Sequence, residues 1–295
     1  MSRRPIPAAL AIAFGILSAA CRDRAPWEAP DWRPERAPQR IVAASVLAAE
    51  VLLEIAPRER IVGVHYLAAD PTFSLVASDV KGLRVLGAEP EQLLACGPDL
   101  VICDPFTKPE TLALLASASV PVIKPQNPAT FDDVAANVLR IGAVCHLDEP
   151  AAQLVASMRQ RLAALAGRVT EVADWRVVNI AGGMHVHGRG SLFDAVVTAA
   201  GARNVASERG VGPFRKLDVE TLLGWNPDAV VISGPLDAAA VLPAWLQQIP
   251  GMALLRCVAH RRVVRIQGPS LGTTSHRLVE AAEQLQATLR GWGRP

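Results

Sequence analysis

Imidazole, phenol, carboxylate and guanidinium groups stand at the ends of short apolar runs in this sequence. His65 and Tyr66 follow Arg60–Val64, Asp104 and Phe106 follow Leu100–Cys103, and Lys124 follows Val120–Ile123. Ser45 closes the run that begins at Arg40. In the second half, His185, His187 and Arg189 cluster around Met184–His187, Arg215 lies in a loop, Ser233 follows Ala229–Ile232, and Gln267 follows Val263–Ile266. Imidazole and phenolate ligate metals, and guanidinium takes carboxylates or phosphates through paired hydrogen bonds. The expected chemistry is therefore recognition of a bound molecule.

These residues need strands and helices to position them, and one such unit occurs twice. Glu91-Gln-Leu-Leu-Ala-Cys-Gly-Pro98-Asp99-Leu-Val-Ile is matched 129 residues later by Glu220-Thr-Leu-Leu-Gly-Trp-Asn-Pro227-Asp228-Ala-Val-Val. Each reads as a short helix stopped at Pro-Asp, then a continuously apolar strand, which suits a parallel sheet covered on both faces. Strands at 40–44, 60–64, 100–103 and 120–123 alternate with helices at 48–55, 91–96 and 110–116. A second set has strands at 176–180, 184–187, 229–232 and 263–266, with helices at 192–200, 219–224 and 244–248. Helical periodicity also covers 131–145, 149–169 and 275–289. The expected fold is α/β, two Rossmann-like lobes with parallel sheets joined by a single long α-helix. The lobes are placed at 40–147 and 171–295, with the linker at 148–170 spanning about 30 Å at 1.5 Å per residue. Such a helix resists the dihedral changes of a hinge, so the lobes are expected to close by a small angle only. Trp225, which matches Cys96 in the repeat, is read as packing.

The 295 residues are half apolar and one fifth charged, enough for one large core or two ordinary ones. A net charge of +2 offers no concentrated basic field, so nucleic acid is excluded as a partner. The enzyme class finds no phosphate loop and no His-Glu-x-x-His helix, and no nucleophile elbow is expected. Arg3 and Arg4, the apolar run Ala8–Leu17 and the small residues before Cys21 read as a signal peptide over 1–20. That run is too short to span a bilayer, which takes about 20 apolar residues. Residues 21–39, with Pro26, Pro30, Pro34 and Pro38, read as a flexible tether. Cys96, Cys103, Cys145 and Cys257 match no zinc or redox spacing, and one disulfide among them is compatible with export.

From Arg40 to Leu289 the sequence resembles the helix-linked class of periplasmic solute-binding proteins that carry vitamin B12, ferric siderophores or haem. The resemblance rests on Arg40-Ile-Val-Ala-Ala-Ser, Arg60-Ile-Val-Gly-Val, the two Glu-to-Pro-Asp repeats, Gly142 with the linker helix, and Gly190-Ser191-Leu192. It implies a non-catalytic protein with no cofactor of its own, which binds a small chelate between its lobes. The implied partner is an ABC permease with its ATPase. In that family a glutamate on each lobe meets an arginine pocket on the permease, which assigns docking to Glu91 and Glu220. The candidate ligand contacts are Ser45, His65, Tyr66, Asp104, Phe106, His185, His187, Arg189, Arg215 and Gln267. Tyr66 is either a contact or packing at the cleft edge, and Asp70 stands before Pro71 where the family often has a cleft aromatic. His185 and His187 either face the cleft together or lie on a solvated hairpin. Sparse aromatics weigh against a large corrin or haem face. The alternative is a binding protein for bare zinc or manganese, with His65, Asp104 and His187 as ligands.

Leu17-Ser18-Ala19-Ala20-Cys21 resembles a bacterial lipobox, so Cys21 is the expected lipidation site and anchor to the membrane. Radiolabelled palmitate should follow the chain and be absent from Cys21→Ala, which should leave the membrane fraction. A Cys21→Ala chain that remains there would show that acylation is not the anchor.

Overall fold

The computed structural model describes residues 27, 29, 31–234, 241–293 and 295. Cys21, the signal sequence and most of the region before residue 31 lie outside them. The first lobe runs β1 (Ile41–Ala43), α1 (Val46–Ile55), β2 (Ile61–His65), β3 (Val85–Leu86), α2 (Pro90–Leu94), β4 (Leu100–Ile102), α3 (Pro109–Ser117) and β5 (Val122–Ile123). Its sheet has the order β3-β2-β1-β4-β5, all parallel, with Ile41 opposite both Ile61 and Leu100. Helices α4 (Phe131–Cys145) and α5 (Asp148–Ala166) follow.

The second lobe runs β6 (Arg176–Asn179), β7 (His185–Val186), α6 (Leu192–Ala200), β8 (Arg203–Asn204), α7 (Val205–Glu208), β9 (Arg215–Lys216), α8 (Val219–Trp225) and β10 (Ala229–Ser233). It ends with α9 (Ala244–Gln247), α10 (Arg256–Ala259), β11 (Val263–Ile266), α11 (Gly268–Gly272) and α12 (Val279–Trp292). The parallel sheet is ordered β11-β10-β6-β8. Strand β7 stands outside it and pairs antiparallel with β9 as a separate ribbon. No helix of the described residues is long and apolar enough to cross a membrane.

The repeat has a physical basis. Asp99 takes the backbone N–H groups of Gln39 and Arg40 at 2.7 and 2.9 Å, and the Arg40 guanidinium donates to the carbonyls of Cys96 and Gly97. In the second lobe Asp228 takes Arg176 N–H at 3.0 Å, and Arg176 donates to Trp225 and Asn226 carbonyls at 3.4 and 3.3 Å. Each arginine thus satisfies carbonyls at the end of the helix that carries the repeated glutamate, where no intrahelical donor remains. Gly97 and Asn226, at φ 55° and 46°, make the left-handed turn that each helix end requires. Trp225 is buried in the second lobe's core, as packing requires.

Helix α5 does more than link. It packs on α4 and α1 from one side and on α6 and α12 from the other. One apolar core therefore runs from Ile41 and Ile102 of the first sheet through Val155 and Met158 of α5 to Val177, Val231 and Leu285. Helix α4 starts at a capping box, with Thr130 and Asp133 each bonding the other's backbone. At its far end the buried Arg60 donates to Cys145 and Pro38 carbonyls, both at 2.7 Å.

Residues 31–39 depart from the tether expectation. Arg140 donates to the Trp32 carbonyl at 2.6 Å, His146 Nε2 bonds the Pro34 carbonyl at 2.7 Å, and Arg33 pairs with Asp148 through two bonds. Proline-rich backbone presents carbonyls that secondary structure does not consume, and α4 supplies the donors. All four cysteines between 96 and 257 are buried and free. Burial pushes the Cys103 and Cys145 thiols up to about 12 and Cys257 to about 11.

Gly142 explains its place in the sequence pattern, because a β-carbon there would lie 2.3 Å from Ala151 Cβ and 3.1 Å from the Leu147 carbonyl. Helices α4 and α5 meet only because that atom is missing. Gly142→Val should therefore lower stability by at least about 1–3 kcal/mol. Gly224→Ala, on α8 where nothing lies within 4 Å of the new carbon, should raise it by up to about 1 kcal/mol. Thermal unfolding of the two variants should move in opposite directions.

Candidate ligand-binding site

The carboxyl ends of the two sheets face each other. Gly268, just past β11, is close enough that a β-carbon would stand 3.2 Å from Ser233 Oγ at the end of β10. The same carbon would stand 3.5 Å from the Thr72 carbonyl in the loop beyond β2. Against this junction lies a cavity of about 570 Å³, lined from the first lobe by Ser45, His65, Phe73, Asp104 and Phe106 and closed by Gly272–Thr274 from the chain's last segment. Open parallel sheets place ligands at such strand ends.

Ser45 is buried, caps α1 by accepting Ala48 N–H at 3.1 Å, and donates to the Cys103 carbonyl at 3.3 Å. It shapes the wall. Asp104 accepts Phe106 N–H at 2.8 Å, while its own N–H goes to Thr107 Oγ1 at 3.0 Å, a turn that turns Phe106 outward to 72% exposure. His65 accepts Leu67 N–H on Nδ1 at 3.4 Å and packs on Tyr66 with ring centroids 4.5 Å apart. Burial holds the His65 imidazole below its usual pKa, against the opposing pull of Asp104. Tyr66 is half exposed and is not part of the cavity wall.

A second group stands on the β7–β9 ribbon at the end of β6. His185 stacks flat on Phe214, with centroids 4.4 Å apart and planes 7° from parallel, and His187 lies 5.7 Å from the same ring. Both imidazoles thus share one side of the ribbon, with Val186 buried on the other. His187 is bound to Asn179, the last residue of β6, by ring and backbone. Burial, and then His185, lowers its pKa. Arg189, Arg215, Lys124, Ser233 and Gln267 are exposed and do not line the cavity.

Phe73 and Phe214 were not among the expected contacts. Both are more than half exposed; Phe73 joins Phe106 in the wall of the cavity, and Phe214 stacks on His185.

Beneath the cavity, Glu50 of α1 is fully buried. Its Oε2 accepts Thr273 and Ser275 hydroxyls at 2.6 and 2.5 Å, and its Oε1 accepts Leu75 N–H at 3.4 Å. Arg277 pairs with Glu54 on the next turn of α1. One spacing nearby runs against the absence of a nucleophile elbow: Gly268-Pro269-Ser270-Leu271-Gly272 has the Gly-x-Ser-x-Gly form and follows β11 directly. Ser270 is nevertheless fully buried inside α11, and its hydroxyl has no hydrogen-bond partner, so it is not presented to a substrate.

Glu91 and Glu220 are both exposed in the first turns of α2 and α8. Asp218 caps α8 through Thr221 N–H at 2.6 Å, and its carboxyl is held below the usual range by that threonine. Pro90 opens α2 without a side-chain cap. Among the described residues no group of three His, Cys, Asp or Glu side chains is assembled to hold a metal ion, so His65, Asp104 and His187 do not form the set a bare cation needs.

Two parallel-sheet lobes on a helical spine, with a cavity where their strand ends face, define a two-lobed binding protein. The chain matches the periplasmic binding protein family over residues 41–269 and belongs to it. A cobalamin-binding protein of Halobacterium salinarum is 28% identical over 209 residues, 69% of this chain and 57% of that relative's length. A periplasmic heme-binding protein from Pseudomonas aeruginosa has a similar structure, at TM-score 0.73 and 27% identity over 88% of this chain and 95% of that one. The heme-binding protein RhuT from Roseiflexus sp. RS-1 (TM-score 0.75, 24% identity, 86% and 98% of the chains) shares the fold. So does the vitamin B12 binding protein BtuF of Vibrio cholerae (0.68, 21%, 85% and 96%).

His276, next to the Glu50 cluster, is 6% exposed. Burial, then Arg277 and Arg161, pushes its pKa down from 6.5 to about 4. The unfolded chain takes up this proton near pH 6.5 and the folded chain only near pH 4. Stability from the neutral imidazole is thus complete above pH 6.5, falls as the pH drops toward 4, and is roughly 3 kcal/mol smaller below that. Urea unfolding from pH 7 to pH 4 should show this slope, and His276→Leu should remove it.

Proposed function

We propose that the protein captures a metal chelate of the cobalamin, haem or siderophore type between its lobes and delivers it to an ABC permease driven by an ATPase. The observation that carries this reading is the cavity at the strand ends of the first lobe, with Phe73 and Phe106 in its wall and Gly272–Thr274 closing it from the chain's last segment. Apolar walls with a few placed polar groups suit a large chelate better than a hydrated ion. The names of the relatives point to the same class of ligand. In this reading Ser45, His65, Asp104 and Phe106 contact the ligand from the first lobe, and His185 and His187 from the second. Tyr66, Arg189, Arg215 and Gln267 lie at the periphery.

Export by the signal sequence and acylation of Cys21 would hold the protein at the outer face of a membrane, where its permease is. Glu91 and Glu220 are the docking groups. The repeated clamps of Arg40–Asp99 and Arg176–Asp228 support this, because they hold both glutamate-bearing helices in the same way. A dipole role alone is worth about 0.3–1 kcal/mol per site, whereas charge pairs across an interface couple by roughly 1.5–7 kcal/mol. The test is uptake of haemin or cyanocobalamin into proteoliposomes that hold the cognate permease and ATPase. Wild-type protein should support uptake of one chelate, and Glu91→Ala/Glu220→Ala should keep its affinity and folding but lose most transport. Failure of wild type with both chelates would overturn the cobalamin and haem readings of the ligand, and equal uptake with the double variant would overturn the docking assignment.

A further inference from the structure

Two parts of the cavity wall are irregular segments from distant places in the chain. Phe73 stands in the loop beyond β2, and Thr273 and Thr274 follow α11 directly. Neither segment has the ladder of backbone bonds that fixes a strand or a helix, so something else must set where it stands. One buried side chain reaches both. Glu50 of α1 is fully buried and is not itself part of the cavity wall. Its Oε1 accepts Leu75 N–H at 3.4 Å, close after Phe73, while its Oε2 accepts the hydroxyls of Thr273 at 2.6 Å and Ser275 at 2.5 Å.

The surrounding bonds leave these partners no equal alternative. Thr273 Oγ1 accepts Ser275 N–H at 3.0 Å and Ser275 Oγ accepts Arg277 N–H at 3.2 Å, so the backbone takes a lone pair of each hydroxyl and leaves its single proton to give. The carboxylate oxygen is nearer to each than they are to one another, at 3.0 Å. In the other segment Asp70 fixes the start of the loop, taking Thr72 N–H on Oδ1 at 2.8 Å and Phe73 N–H on its carbonyl at 3.0 Å. Leu75, on the far side of Phe73, rests on Glu50. Both ends of the Glu50 side chain are therefore acceptors in use, one for each wall. An amide of the same shape accepts at one end only.

We infer that Glu50 is a positioning residue for the ligand: it sets both loop walls of the cavity at once, and the affinity of the site depends on it although it does not touch what is bound. This rests on the chelate-binding reading above. With one wall released, the cavity spends only part of its time in the binding arrangement, and apparent affinity falls by that fraction.

The test titrates the full chain with haemin and, separately, with cyanocobalamin, reading retention by ultrafiltration and backbone amide exchange by mass spectrometry. In Glu50→Gln the chelate that wild type retains should bind about tenfold more weakly, as for a wall in place about a tenth of the time. Exchange should quicken over 72–76 and 272–276 and stay unchanged in the two sheets. Thr273→Val should weaken binding in the same direction and Thr273→Ser should restore it, a pair that carries the test by a milder change if Glu50→Gln does not fold. Adding Thr273→Val to Glu50→Gln should lower affinity by less than the product of the two single effects, because both act on one bond. Gly142→Val, at a helix contact none of whose residues lines the cavity, should lower the melting temperature and leave affinity alone. Unchanged affinity and exchange in Glu50→Gln, or affinity that follows melting temperature through every variant including Gly142→Val, would overturn the assignment while leaving chelate binding intact. Retention of neither chelate by wild type would overturn the cobalamin and haem readings alone. Amide exchange then decides for Glu50: quickening confined to the two segments supports the positioning role, and quickening that is absent or spread through the fold overturns it.

Discussion

A carboxylate buried inside the first helix sets the terms for the rest of this molecule. Glu50 has apolar neighbours on both sides in the chain and, among the described residues, no ion pair, so its desolvation must be offset by hydrogen bonds. The donors that meet it, Thr273 and Ser275, come more than 220 residues later. Satisfying one acid therefore obliges the end of the second lobe to return to the first. That return makes Gly272–Thr274 a wall of the first lobe's cavity and starts α12 on its course beside α5. The ligand site is thus assembled from both ends of the fold.

The same return changes what the long helix is. A free linker would let two lobes move as separate bodies, but α5 is packed from both sides and its apolar residues belong to one core with both sheets. Moving one lobe far from the other would open that core as well as the Glu50 bonds and the Arg277–Glu54 pair.

Much of this architecture was legible in the sequence because long amphipathic helices and continuous apolar strands carry strong periodic signals. Helices 131–145 and 192–200 occur with the expected limits, and the repeated Pro-Asp units lie where two strands enter their sheets. Strands β3, β7, β8 and β9 have two residues each, too few to show a period, so Met184–His187 reads like a sheet strand when it is part of a ribbon. The site divides in the same way. Strand-end positions pointed to His65 and Asp104, whereas Phe73 and Phe214 sit in loops whose conformation no local pattern encodes. Glu50 did leave a trace, an acid set among Ala48, Ala49, Val51 and Leu52. The proline-rich stretch before Gln39 misleads because composition reports a lack of secondary structure and says nothing of carbonyls that a neighbouring helix can take up.

The four buried thiols bear on how such a protein matures. Disulfide exchange proceeds through thiolates that an oxidant can reach, and Cys103, Cys145 and Cys257 are buried with thiols held at about 11 to 12. Once folded, the four described thiols are closed to thiol oxidoreductases. Cross-linking between lobes, which small exported proteins obtain from disulfides, is supplied here by hydroxyls on an acid and by a shared apolar spine. The fold is accordingly indifferent to the redox poise of the compartment that receives it, and its maturation need not wait on the oxidising machinery of the envelope.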